Sequence, residues 1–388
     1  MNQFSWDNTL VGVRPSRPLT GGALSRPSSK DKRRKRSPME ASAVEGRPIS
    51  DAGLFREAAD DFEGEGESSP DSVDVPAGTV PAERSRPEPH RRKLEELLNN
   101  DKLPPEDAER VRSAAERYRA WIEAMARAPG KGDDKVAALV AACNSYKRFI
   151  ELELIWDSPG EFLFRQRGQT KLDNSIIEEF LPWLIDPMIV PALASIDCMA
   201  GPRKAFAAAS FTSTLTSPGI GGALLIRTKD QDFSVSRRAY LQSSFSIDFP
   251  AADTTTHEIH LAYVAAECKT NLDKTMFQEA SATAHDLKIA LPGAHYYLVT
   301  EFLDMTPINT AGTDIDEVLI LRGRRMGAQL RSSNSKPAYR AAHRDEYEAF
   351  LGRNPIRTDV VVRLVDHLRA VLENVDPATE DVLNRGYF

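Results

Sequence analysis

Ile259-His260-Leu261-Ala262-Tyr263-Val264-Ala265-Ala266-Glu267-Cys268-Lys269 decides the fold: an apolar run that stops at a carboxylate, one intervening residue and an ammonium. A short apolar run of this length, bounded by polar residues, predicts a strand. Residues two apart on a strand share a face, so Glu267 and Lys269 project side by side from a rigid edge. A carboxylate there suits a hard cation such as Mg²⁺, and a neighbouring lysine can stabilise or activate an attacking water. That chemistry needs a second acidic residue on an adjacent strand.

The chain has 388 residues, 41% hydrophobic and 28% charged, with a net charge of −7. These are ordinary values for a globular protein of one or two domains. No stretch approaches the roughly 20 apolar residues of a membrane span, so no membrane association is expected. The N-terminus lacks a basic region followed by an apolar core, which predicts no secretory signal. Cys143, Cys198 and Cys268 have no C-x-x-C spacing and cannot all pair, which points to a reducing cytoplasm and away from a zinc site. The acidic balance does not by itself suggest nucleic acid, although a local basic groove is compatible with it.

Residues 1–88 are dominated by Pro, Ser, Arg and Gly, with a basic run at Lys30–Arg36 and an acidic stretch from Asp60 to Asp74. Few large apolar side chains are present to offset the entropy of ordering, so this segment reads as a disordered tail. The basic run fits either a DNA-tethering arm or a solvated tail. Helices are expected from Pro89, over Glu106–Ala126 and over Asp133–Trp156, broken at Pro129-Gly130-Lys131-Gly132. Asp173, Asn174 or Ser175 is expected to cap a helix through Leu184. Strands are expected at 222–228, 233–243, 257–268, 295–302 and 318–321, with a helix at 274–290 and another at 357–374.

Strands 233–243 and 257–268 are neighbours in sequence and should pair as an antiparallel hairpin. If Ser243 faces His257, residue 232 faces Cys268, and Asp232 falls beside Glu267 and Lys269. Asp230 competes for the place, because a slip or bulge of two residues substitutes it. Converging carboxylates repel unless a cation neutralises them. A surface salt-bridge cluster of Lys229, Asp230, Asp232, Glu267 and Lys269 is the alternative. Cys268 points to the opposite face and into the core, while its carbonyl lies where a metal ligand is expected.

An Asp at a strand start, E-x-K on the next strand, then a helix and a further strand resembles the PD-(D/E)XK nuclease core. The strings Ile226–Phe233 and Ala266–Ala280, with Leu303–Pro307, Thr313–Val318 and Lys171–Leu181, resemble the type II restriction endonucleases of the BbvCI/DdeI-like group. Gln231 stands where the name-giving proline of the superfamily would be, which leaves Asp230 against Asp232 open. The resemblance implies an α/β, restriction-endonuclease-like fold: a mixed central sheet flanked by helices, preceded by a helical region and the tail. It divides the chain into 1–88 (tail), 89–205 (helical region leading into the core), 206–330 (catalytic core) and 331–388 (C-terminal helical segment).

The same resemblance implies Mg²⁺-dependent hydrolysis of double-stranded DNA at a CTNAG-like site, leaving 5′-phosphate and 3′-hydroxyl ends. Asp232, Glu267 and Lys269 would be catalytic; Asp232, Glu267 and the Cys268 carbonyl would hold the metal, with Asp230 as the alternative ligand. Glu178 or Glu179 would be an extra acidic ligand or, by the simpler reading, face solvent. Lys229, Arg237, Arg322 and Arg324, with Arg238 and Arg325, are candidates for DNA contact, since base readout needs such side chains. Cutting both strands calls for two active sites, hence a homodimer or a heterodimer with a related subunit. A repair or mobile-element nuclease on the same core, and a non-catalytic DNA-binding protein, are the competing functions.

Overall fold

Pro105 opens a long helix, and its position is the expected one: it lacks the N–H that a first helical turn cannot use. The computed structural model describes residues 86–327, 331 and 333–373. The expected tail up to residue 85, with its basic run, lies outside the described residues. Helix α1 spans Pro89–Leu98, α2 Pro105–Ala126 and α3 Gly132–Arg148. Val111, Ala114, Tyr118 and Met125 bury one stripe of α2 at helical spacing, joined by Trp121. The third helix was expected to run unbroken to Trp156; instead Phe149–Trp156 is a π-helical segment that carries Glu151 inward. After α4 (Phe162–Gln169) and α5 (Ser175–Phe180) the chain enters the sheet.

The sheet has five strands in sequential order: β1 (Met199–Phe211), β2 (Leu224–Ser243), β3 (Thr255–Leu272), β4 (His295–Leu303) and β5 (Glu317–Arg324). β1, β2 and β3 pair antiparallel, whereas β3, β4 and β5 pair parallel. The parallel step from β3 to β4 is made by α6 (Lys274–Ala290), whose start is capped by Asp273 accepting from the Met276 N–H at 2.9 Å. Helices α7 (Pro337–Ala342), α8 (Arg344–Arg353) and α9 (Thr358–Glu373) complete the described chain. The architecture is the mixed, helix-flanked α/β sheet expected from the sequence.

Each face of the sheet has its own core. On one, Phe233, Val235, Val264, Ala266, Cys268 and Val299 pack against helices α2, α3, α5 and α9. On the other, Ala262, Ala265, Tyr296 and Leu298 pack against Phe277, Ala280, Ala284 and Leu287 of α6. Among the described residues no helix is long and apolar enough to cross a membrane.

Three strand expectations change. β1 (Met199–Phe211) is a strand where none was expected, because Gly201 and Pro202 mask its start. An edge strand tolerates that proline, and its ladder with β2 breaks between Gly201 and Arg203. β2 is one continuous strand where two were expected. The polar Lys229, Asp230 and Gln231 are held in the ladder opposite Ala205, Lys204 and Arg203 of β1. The hairpin register also differs. Ser243 faces Thr255 rather than His257, since Thr255 and Thr256 already belong to β3. A bulge between Val235 and Ser236 then brings Phe233 opposite Ala266, one residue from the expected Glu267.

Candidate active site

The β2–β3 ladder ends at the Phe233–Ala266 pair, and from there β3 continues beside β4 alone. Cys268 therefore presents its N–H and C=O toward the side that β2 has left. Such backbone groups need partners once buried. Asp232 supplies one: its Oδ2 accepts from the Cys268 N–H at 2.8 Å. Asn174, at the start of α5, supplies the other by donating through Nδ2 to the Cys268 carbonyl at 3.2 Å. The carboxylate of β2 is thereby fixed against the backbone of the E-x-K triplet despite the altered register.

Glu267 and Lys269 share the face turned toward α6, where they form an ion pair of 2.5 Å, each about one-fifth exposed. Tyr296 of β4 donates its hydroxyl to Glu267 Oε2 at 3.1 Å. Cys268, 1% exposed, points into the opposite core. Lys171, with φ of 53°, lies with its ammonium 3.6 Å from Asp232 Oδ1. Asp232 thus lies against the backbone between Glu267 and Lys269, with Lys171 paired to Asp232, Asn174 to the Cys268 carbonyl and Tyr296 to Glu267. Asp230 is exposed and paired across from Lys204 of β1, so it is Asp232 that reaches β3.

Glu178 is a correction to the expectation that it faces solvent. It is half-buried, it accepts from Asn174 Nδ2 at 3.1 Å, and its pKa is pushed up to about 7 by burial and then by the charge of Asp232. Glu179 is buried too and serves the helical layer, accepting from the His90 N–H at 2.8 Å and from the Tyr118 hydroxyl. The Asp173-Asn174-Ser175 run was read as a helix cap. None of the three caps α5: Asp173 pairs with Arg167 at 2.5 Å, Asn174 holds Cys268 and Glu178, and Ser175 donates to the Leu172 carbonyl at 3.1 Å. Nothing in local sequence distinguishes these uses from capping.

Of the expected DNA contacts, Arg237 and Arg324 are exposed, and Lys229 forms an ion pair of 2.9 Å with Asp286. Arg322 is not available to a ligand. Its side chain is 3% exposed and bonded to Glu151 at 3.0 Å and Glu301 at 3.2 Å, in a buried charge cluster completed by Lys147. Its partner Glu151 is distant in sequence, which is why its burial is invisible there.

Among the described residues no group of three or more His, Cys, Asp or Glu side chains lies close enough to hold a metal ion. The residues at the triplet nonetheless suit a hard cation: two carboxylates and a carbonyl, all oxygen donors. The Cys268 carbonyl has a second lone pair besides the one given to Asn174.

Comparison with known proteins gives three findings. The sequence pattern of the Bpu10I restriction endonuclease family matches residues 169–388. No curated protein matches the chain. Among solved structures, the native BbvCI A2B2 tetramer at low resolution is similar at a TM-score of 0.49 and 22% identity, covering 74% of this chain and 97% of that one.

Proposed function

The chain belongs to the Bpu10I restriction endonuclease family, and from that membership we propose that it is a Mg²⁺-dependent type II enzyme that hydrolyses DNA within a CTNAG-like site. The observation that carries the chemistry is the Asp232 carboxylate held against the backbone between Glu267 and Lys269. Asp232, Glu267 and the Cys268 carbonyl would hold the metal. When bound there, Mg²⁺ supplies charge neutralisation and Lewis-acid activation at the scissile phosphate. Lys269 orients the attacking water and stabilises charge that develops on the phosphate oxygens. Tyr296 and Asn174 keep Glu267 and the Cys268 carbonyl aimed at the centre. In-line attack leaves 5′-phosphate and 3′-hydroxyl ends. One such centre cuts one strand, so the working form is a homodimer or a heterodimer with a related subunit.

Incubation with phage DNA and Mg²⁺, followed by sequencing of fragment ends, tests this: discrete bands sharing one end sequence are expected. Glu267→Ala and Lys269→Ala should each lower the rate by about 100-fold or more. Excess Glu267→Ala mixed with wild type should turn linear plasmid products into nicked circles. The Lys269–Glu267 ion pair favours one rival, a salt-bridged DNA-binding surface without catalysis. Undiminished cutting by both variants would end the catalytic assignment of the triplet, whereas DNA binding without cutting by wild type would support that rival.

A further inference from the structure

A cleft of about 490 Å³ opens where β3 and β4 end, immediately beyond the candidate site. Thr270 and Asn271, which follow Lys269 on β3, form part of its wall, and the Thr270 hydroxyl lies 3.5 Å from Asn174 Oδ1. Phe302 of β4 and Tyr347 of α8 give it aromatic surface. Three of the residues that line it each carry a buried polar atom without a hydrogen-bond partner among the described residues: Asp173 Oδ1, Arg331 Nε and Asn334 Oδ1. Asp173 is 1% exposed and Asn334 5% exposed. The other ends of two of these groups are engaged. Arg167 holds Asp173 Oδ2 at 2.5 Å, and Asp304 accepts from Arg331 Nη1 at 3.3 Å.

Each orphaned buried polar atom costs about 1–3 kcal/mol. Three around one cleft call for a ligand that answers them together. Two are acceptors and one is a donor, so the ligand must carry donors and an acceptor along one edge, on a flat body that lies against aromatic rings. A phosphate offers acceptors only and so leaves the two acceptors unanswered; an apolar group answers none of the three. A nucleobase edge meets all the conditions, and Asn and Arg are the side chains best shaped to read one.

We propose that this cleft reads one base of the bound DNA, with Arg331 and Asn334 as specificity-determining residues. The inference rests on the nuclease reading above. Because Thr270 follows Lys269 directly, the base belongs to a nucleotide near the scissile phosphate. Its identity at the cut site then depends on a wall that contains none of the Asp232, Glu267 and Lys269 triplet.

The test compares fragment ends from phage DNA cut by wild type, Asn334→Ala and Arg331→Gln, with each variant's thermal unfolding recorded. Relaxed preference at one base position, by about 10-fold, with the remaining positions kept, is the expected result. Slower cutting with end sequences unchanged in both variants overturns the inference and leaves the nuclease reading intact. No cutting by wild type ends both. Should Asn334→Ala fail to fold, because its residue is buried, the one-third-exposed Arg331 decides the matter alone.

Discussion

A single residue, His90, ties α1 to the layer behind the candidate site. It is fully buried, with Nδ1 2.9 Å from Ser175 Oγ and Nε2 2.9 Å from the Tyr146 hydroxyl. Burial, and then the charge of Lys147, push its pKa down to about 3. The unfolded chain takes up this proton near pH 6.5 and the folded chain does not. Stability from His90 is therefore complete above pH 6.5 and declines as pH falls toward 3. Glu179, beside it, is raised to about 7 by burial and acts in the opposite sense, adding stability as pH falls from 7 toward 4.5. The wild-type profile alone would blur the two. The difference between wild type and His90→Gln isolates the histidine: it should move against wild type by about 2 kcal/mol between pH 7 and pH 5, measured by urea unfolding. A difference that stays constant with pH would rule the effect out. The legible residues are of another kind. Glu267, Cys268 and Lys269 could be placed because strand periodicity alone fixes their faces. Asn174 and Arg322 could not, since their roles depend on Cys268 and Glu151, far away in sequence.

At the scale of elements, α3 is fastened to β4 and β5 by charge buried in the core. Lys147 Nζ lies 2.9 Å from Glu301, 3.7 Å from Glu151 and 2.7 Å from the Asp173 carbonyl. Arg322 bridges the same two glutamates. Removing one cation leaves a carboxylate under-compensated in a dry interior, which costs about 3–5 kcal/mol. Lys147→Met should lose that much in a denaturant titration, and Lys147→Met combined with Glu301→Gln should regain part of it. A loss under about 1 kcal/mol for the single variant would show that the cluster contributes little. Elements with their own local signals were readable in advance. Helix α6 carries a capping Asp273 and a buried stripe, and β4 is buried over almost its whole length. β1 was hidden by Gly201 and Pro202, and α8 buries only Tyr347 and Leu351, too little to leave a periodic trace. The hairpin register was missed at the tip because strand length at a loop is set by pairing, which local sequence does not report.

For the whole molecule, the consequence of the sheet's mixed order concerns time rather than position. Asp232 and Glu267 both lie on the β2–β3 hairpin, closed by the short connection 244–254. The parallel β3–β4 pairing must wait for α6 to cross over, and Asn174 and Glu178 reach β3 from almost a hundred residues upstream. Closing short loops costs less entropy than closing long ones, so local pairings form first in low-contact-order segments. Pulse-labelled hydrogen exchange during refolding should find the amides of Arg238 and Ile259 protected before those of Leu298 and Thr300. Simultaneous protection of all four would show that the sheet forms in one step. On the ordered route, two carboxylates that repel one another are brought together while no neighbouring helix yet screens them, so low ionic strength slows this step. The acidic half of the site is then older, in folding time, than the sheet that carries it.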